Sequence, residues 1–378
     1  MARQPKPWYR KDRDSWFVTI GGVRHNLGNN KKVAMERYYA LMRTPNAAKV
    51  ASKSFAAIAD AFLDWVKPNR SADTFEWYRY RIERFCQRYP DLSADEIKPF
   101  HVQEWVDSYT HLSQTSRRNY VRSVKRCLKW ALRQGYVDTD PIADMEVPGA
   151  EAREVRVLKE EFETLCSFIR DDTFLELCRV CYTTGCRPQE ILRVEARHYE
   201  PAHKRWVLPP SEAKGKKRPR IVYLPPYALA VTVRLCSKFP KGRLFRNTRD
   251  KPWTTDAVNN GFTRLQVRMG KDALKKGGHD LKVLTMAAFG LDAKAYKALG
   301  WREQTKLTNK VASSYAPHYS LYSFRHSWAT NALETGLDAL TVATLMGHSD
   351  PSTLARVYSH ISSNPEHMSS QALRALGE

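Results

Sequence analysis

Acidic residues are scarce in this chain of 378 residues: 40 Asp and Glu stand against 62 Lys and Arg, leaving a formal charge of +22 and a pI of about 9.7. So large an excess predicts a polyanionic partner. Long hydrophobic runs are missing as well. The stretch 321–346 is broken by Arg325, His326, Glu334 and Asp338, so no bilayer-spanning segment is expected. Residues 2–13 are basic and polar and lack the apolar centre of a secretory signal, which points to a cytoplasmic location. No basic helix with a wholly apolar opposite face stands at a terminus, which argues against a membrane surface as the polyanion. Seven cysteines are present, but only Cys178 and Cys181 approach metal spacing, and no second Cys or His pair accompanies them. They fall in the apolar run 174–182 and are read as buried, reduced thiols. There is no GxxxxGK[ST] phosphate loop and no cluster of carboxylates suited to Mg²⁺, so neither a cofactor nor a metal is expected.

What is present divides into three stretches, mainly α-helical with small β elements. Residues 1–45 read as a small basic module of two β-prone runs, 15–20 and 23–27, joined at Gly21-Gly22. A helix follows, with Ala34, Tyr38 and Leu41 on one face. Eleven Lys or Arg against three Asp or Glu in residues 1–50 suit this module to DNA contact. Residues 54–138 have an all-helical pattern. The clearest helix, 116–134, sets Tyr120, Val124, Leu128 and Ala131 on one face. Its other faces carry Arg117, Arg118, Arg122, Lys125, Arg126, Lys129 and Arg133 with no acid between them, a pattern suited to phosphate contact. Residues 139–149, with Pro141, Pro148 and Gly149, read as a linker. Residues 150–378 form the largest unit: helical patterns at 159–168 and 174–183, a β-hairpin from 205–208 and 221–224 with Lys214, Lys216, Lys217 and Arg218 in its loop, and further helices. The basic stretch 270–316, with two glycine-rich breaks, reads as an insertion of undefined structure.

Four groups in this last unit form a chemical inventory. Gly185 suits the left-handed stop of one helix and Pro188 the first turn of the next, placing Arg187 at the elbow, with Glu190 one turn further on to orient it. Arg325 opens another helix. His348 follows Gly347 in an interhelical loop, and Asp350-Pro351 starts the helix that carries Tyr358. Arginine cannot act as a proton acceptor, so an arginine pair points to an anionic substrate, and a phenol oxygen is a nucleophile able to attack it.

The words Thr184-Gly-Cys-Arg-Pro-Gln-Glu190, Arg325-His-Ser-Trp-Ala-Thr330 and Leu345-Met-Gly-His-Ser-Asp350 leading to Tyr358 resemble the tyrosine recombinase, or phage integrase, family. The resemblance implies an α-helical catalytic domain with a small antiparallel hairpin, preceded by a helical core-binding domain and an arm-type N-terminal module. It implies that Arg187 and Arg325 clamp a scissile phosphate and that Lys214, with Lys216 as rival, protonates the leaving 5′-oxygen. His348 takes the second His/Trp position and Tyr358 is the nucleophile. Strand exchange would then run through a 3′-phosphotyrosyl link without ATP or metal. Double-stranded DNA sites are the implied partners, with a homotetramer on two sites and accessory DNA-bending proteins as further candidates, and association with the nucleoid follows.

Two departures mark the chain. Tyr322 stands where the family usually has histidine, three residues before the second arginine, and a phenol donates a hydrogen bond to phosphate but accepts a proton poorly near neutrality. The interval from His348 to Tyr358 is one residue longer than the family's familiar spacing. A type IB topoisomerase and a catalytically weakened DNA-binding regulator therefore stand as alternative readings.

Overall fold

The computed structural model describes residues 6–20, 23–43, 54–150, 156–213 and 218–348, with the single positions Pro365 and Ser369. The chain separates into two compact units, Met1–Ala152 and Arg153–Glu378.

The first unit opens with a three-stranded antiparallel sheet, β1 (Trp8–Arg10), β2 (Ser15–Ile20) and β3 (Val23–Gly28), in sequential order. The strand β1 was not foreseen, because three residues are too few to show a period of two. Helix α1 (Lys31–Arg43) follows, and Val18, Leu27 and Ala34 close a small core of their own. Four helices come next: α2 (Phe55–Asn69), α3 (Ala72–Arg88), α4 (Pro99–Asp107) and α5 (Gln114–Gln134). Their apolar faces meet around Phe55, Phe62, Phe85, Trp105, Val124 and Leu128. The start of α5 is fixed by Ser113, whose side chain accepts from the Ser116 amide, and its end by Gly135 at φ 78°.

The segment 139–149, expected as an open linker, is docked on this bundle. Ile142 is fully buried, and Met145 and Val147 pack beside it. Lys125 and Arg118 of α5 reach across to the segment's backbone carbonyls, which the sequence pattern of the segment itself could not reveal.

The second unit is built on α6 (Lys159–Ser167), α7 (Asp172–Thr184) and the short α8 (Pro188–Ile191). A three-stranded antiparallel sheet follows: β4 (Tyr199–Glu200), β5 (Arg205–Leu208) and β6 (Arg220–Tyr223), with Trp206 paired to Val222. Next come α9 (Pro226–Lys238), α10 (Thr255–Lys276), α11 (Leu281–Phe289), α12 (Ala293–Ala298), α13 (Trp301–Ser314), α14 (Leu321–Glu334) and α15 (Ala339–Met346). Helix α7 packs against α14 and α9. Phe324 lies wholly inside the core, edge-on to Phe162 and Phe262 at 5.1 and 5.7 Å, and so sets the rotation of α14.

The stretch 270–316 is helical throughout its length apart from short turns. Gly270 is no break: it lies inside α10, and a Cβ there would collide with the Ala312 carbonyl of α13. The glycine is there to let two helices approach, a reason that only the tertiary contact reveals.

Candidate active site

Helix α7 ends at Gly185, which stands at φ 61°. A Cβ at this position would lie 2.5 Å from the Trp328 ring of α14, so both the backbone angle and the close approach require glycine. Arg187 follows as the residue before α8, with Pro188 in the first turn. The Glu190 carboxylate bonds Arg187 twice, accepting from its amide at 2.8 Å and from Nη1 at 2.8 Å. The sequence expectation that Glu190 orients Arg187 is met by this geometry.

Helix α15 supplies the other half. Gly347, at φ 68°, turns the chain out of the helix. The Gly347 and His348 amides donate back to the Thr344 and Ala343 carbonyls, the paired bonds of a Schellman ending. This leaves the carbonyls of Leu345, Met346 and Gly347 at the negative end of the helix, and an arginine takes each one. Arg220 Nη1 donates to Leu345 at 2.7 Å, Arg325 Nη2 to Met346 at 2.7 Å and Arg187 Nη2 to Gly347 at 2.7 Å. Arg325 Nη1 also donates to the Gly185 carbonyl at 2.8 Å, tying the two halves together.

His348 closes the cluster: its Nε2 lies 3.2 Å from Arg325 Nη2. A guanidinium only donates, so Nε2 is the acceptor in this contact.

Three like charges in a buried place are held at an energetic disadvantage. Arg325 is 4% exposed, and burial first, then the neighbouring charge of Arg187, pulls its guanidinium down to about 10. Burial by itself would raise the Glu190 carboxyl, but Arg220 and then Arg187 outweigh it and hold the group below the usual carboxylate range. One carboxylate and five carbonyl dipoles, those of Gly185, Ile221, Leu345, Met346 and Gly347, do not neutralise three guanidiniums, so the cluster favours a further anion.

Of the remaining expected catalytic groups, only Tyr322 is among the described residues. Tyr322 lies in the first turn of α14, is 55% exposed, and its side chain makes no hydrogen bond among the described residues, so it stands outside the bonded cluster. Lys214 and Tyr358, like Lys216, lie outside the described residues. Arg220 was missed by sequence reasoning. A signal existed, because in β6 it shares the inward parity of Val222, and a charge on the buried face of a strand calls for partners.

The basic helix α5 also separates into two classes. Lys125 Nζ donates to the carbonyls of Ile142, Ala143 and Met145, at 2.9, 2.7 and 2.7 Å. Arg118 holds the Pro148 carbonyl, and Arg117 pairs with Asp107. These three expected phosphate contacts are thus engaged inside the protein. Arg122, Arg126, Lys129 and Arg133 have no side-chain partner among the described residues. Their spacing of four, three and four residues aligns them in one stripe, roughly 16 Å long at the rise of an α-helix.

Comparison with known proteins gives a consistent picture. The phage integrase family profile matches residues 296–364, and that of the phage integrase N-terminal SAM-like domain matches residues 60–135. Tyrosine recombinase XerD of Staphylococcus saprophyticus is 24% identical over 334 residues, spanning 81% of this chain and 94% of the relative. Among solved structures, the Tn1549 transposon integrase in complex with transposon right end DNA superposes with a TM-score of 0.57 at 16% identity, over 84% of this chain and 98% of that one. The lambda integrase tetramer bound to a Holliday junction gives a TM-score of 0.55 at 12% identity, over 93% and 97% of the two chains. With the arginine elbow, the hairpin and the α15 ending in the order its sequence words announced, the chain belongs to the tyrosine recombinase, or phage integrase, family.

Proposed function

We propose that this protein is a site-specific DNA recombinase that cuts and rejoins strands through a covalent tyrosyl intermediate. The observation that carries the reading is the convergence of Arg187 and Arg325, from distant parts of the chain, on the carbonyls of one helix end beside His348. A scissile phosphate is the anion such a pair is suited to hold. In turning toward it, the guanidiniums exchange carbonyl dipoles for a full negative charge.

Tyr358 is the nucleophile in this scheme. Its phenolic oxygen forms a bond to phosphorus while the bond to the 5′-oxygen breaks, and the leaving oxygen receives a proton from Lys214. Arg187 and Arg325 stabilise the charge that builds on the non-bridging oxygens. The arginines cannot take the phenolic proton, and Glu190 is held in its ionised form by its two guanidinium neighbours. His348 fills the role of base once Arg325 turns to the phosphate and releases Nε2. Tyr322 contributes a hydrogen bond at the rim. Attack by a 5′-hydroxyl of the partner duplex reverses the step, so the bond energy is conserved in the intermediate.

Double-stranded DNA is the partner, and residues 1–45, 54–138 and 150–378 serve as arm-binding, core-binding and catalytic regions. The working assembly is a homotetramer on two sites, supported by the tetrameric lambda integrase complex, with DNA-bending proteins as accessory partners. No helix among the described residues is long and apolar enough to cross a membrane, and the protein acts at the nucleoid in the cytoplasm.

The test uses a nicked, labelled duplex carrying the protein's own site, run on a denaturing gel. Wild type should leave a covalent protein–DNA adduct mapping to Tyr358. Tyr358→Phe should bind DNA and give none, because no phenyl carbon attacks phosphorus. An adduct that survives this substitution, or maps elsewhere, overturns the mechanism. A two-site plasmid distinguishes exchange of segments from simple relaxation.

A further inference from the structure

Arg220 belongs to none of the sequence words quoted above and has no part in the scheme above, yet its side chain makes three hydrogen bonds, as many as that of Arg325. It is 5% exposed. Its Nε donates to Glu190 Oε1 at 3.0 Å, the oxygen that also accepts from Arg187 Nη1 at 2.8 Å. Its Nη1 donates to the Ile221 carbonyl at 2.5 Å and to Leu345 at 2.7 Å. Nη2 is buried with no partner among the described residues, so three of five donors are used and the charge is not fully satisfied. A Cβ on Gly347 would lie 2.7 Å from Arg220 Cδ, which places the side chain directly against the turn that leads to His348.

A buried charge with one half-shared carboxylate is a costly way to fasten a strand to a helix. An apolar side chain at the inward position of β6 would serve packing alone. What the guanidinium adds is a link between three pieces that the reaction must keep in register: the Glu190–Arg187 pair, the α15 ending and the strand that follows the hairpin loop. We propose that Arg220 is a positioning residue for strand cleavage, holding Arg187 through Glu190 and holding the α15 ending so that the clamp meets the phosphate in one geometry. It acts through Arg187 and does not touch the DNA. The proposal rests on the recombinase reading, and its test separates the two.

The readout is single-turnover adduct formation at saturating protein, on two substrates: the ordinary phosphodiester and a methylphosphonate at the scissile position. The methylphosphonate lacks the negative charge that the clamp neutralises. Arg220→Ala should bind DNA with Kd within about threefold of wild type and should slow adduct formation on the phosphodiester by about ten- to a hundredfold, less than loss of a direct donor. On the neutral linkage the deficit should shrink to about threefold or less, as it should for Arg187→Ala, because the step that needs the clamp is gone. Arg220→Lys should fall between, since an ammonium reaches Glu190 or Leu345 but cannot fork to both. If Arg220→Ala does not fold, Arg220→Lys and Arg220→Gln carry the same comparison. An equal deficit on both linkages means Arg220 is structural only, and wild-type rates in the variants mean it does nothing here; either result overturns the proposal while leaving the recombinase reading intact. Absence of adduct with wild type overturns both.

Discussion

Two dense groups of basic side chains, the arginines at the end of α15 and the stripe on α5, use the same charge in opposite ways. At α15 the guanidiniums of Arg220 and Arg325 are buried and that of Arg187 is partly so, all three are bent onto helix carbonyls, and Arg325 is depressed to about 10 by burial and then by Arg187. On α5, Arg122, Lys129 and Arg133 stand exposed in water, with Arg126 half-buried beside them. A solvated charge is screened within about 8 Å at physiological salt and acts by attracting many phosphates weakly. A desolvated, pre-oriented charge acts on one phosphate strongly and needs no reorganisation when charge develops there. On the proposed reading, placement, more than charge, separates a surface that finds DNA from a site that changes it.

The most severe way to break the comparison is to remove the buried charges. Arg325→Ala or Arg187→Ala should lower the rate of adduct formation by on the order of a thousandfold, as for loss of a preorganised donor to a developing oxyanion. Their DNA affinity at moderate salt should stay within a few fold of wild type, because the exposed basic residues remain. A quenched-flow time course and a filter-binding titration on the same preparations check both halves. A loss of affinity as large as the loss of rate would mean that the cluster serves binding and chemistry alike.

A second substitution reaches the cluster without touching a charge. Gly347→Ala puts a Cβ at 2.7 Å from Arg220 Cδ in a residue whose φ is 68°. The backbone alone costs about 1 kcal/mol or more, and the displaced arginine should lower cleavage by about tenfold or more. Urea unfolding and the adduct assay together check this. Gly185→Ala is the sharper partner, since its Cβ meets the rigid Trp328 ring, and it should destabilise more than Gly347→Ala.

The exposed region is tested by salt. Replacing Arg122, Arg126, Lys129 and Arg133 with alanine should reduce the log–log slope of DNA affinity against salt by up to about three or four units, near 0.9 per lost phosphate contact. Lys125→Ala should leave that slope unchanged. It should instead destabilise the helical bundle by about 1–3 kcal/mol, the range for hydrogen bonds to a charged group, because the ammonium holds three carbonyls of the docked segment. Similar effects from both sets would erase the distinction drawn within α5.

Sequence legibility follows the same line between local and distant causes. The α7–α8 elbow was readable because Gly185 and Pro188 encode their own backbone angles, and α5 was readable because its apolar period of 3.6 needs no outside partner. Glu190 could be assigned to Arg187 because the two are neighbours on one turn. The docking of Lys125 and Arg118 on 142–148, the close approach at Gly270 and the place of Arg220 each depend on residues tens of positions away, and composition carries no trace of them. Arg220 came nearest to legibility, through its inward parity beside Val222. Tyr322, whose slot in the family words invited a hydrogen bond to the phosphate, stands exposed in the first turn of α14.

The smallest expected effect concerns Glu190, the one carboxylate shared by two of the buried arginines. Burial would raise its pKa, but Arg220 and Arg187 hold it below the ordinary value near 4.3. A depressed folded-state value means that the ionised form adds stability above the unfolded pKa and that this is lost as pH falls through the folded one. Glu190→Gln should therefore be less stable than wild type at pH 7, where it leaves two guanidiniums without their carboxylate. The gap should narrow progressively below about pH 4.3, as wild type takes up the proton that the variant's amide already mimics. Chemical unfolding of both proteins at a series of pH values reads the gap directly. The α5 quadruple variant removes only exposed bases and should run parallel to wild type across that range. A gap for Glu190→Gln that stays constant to acid would show that the carboxylate's charge is not what holds Arg187 and Arg220, and that burial at the α15 end is maintained by packing alone.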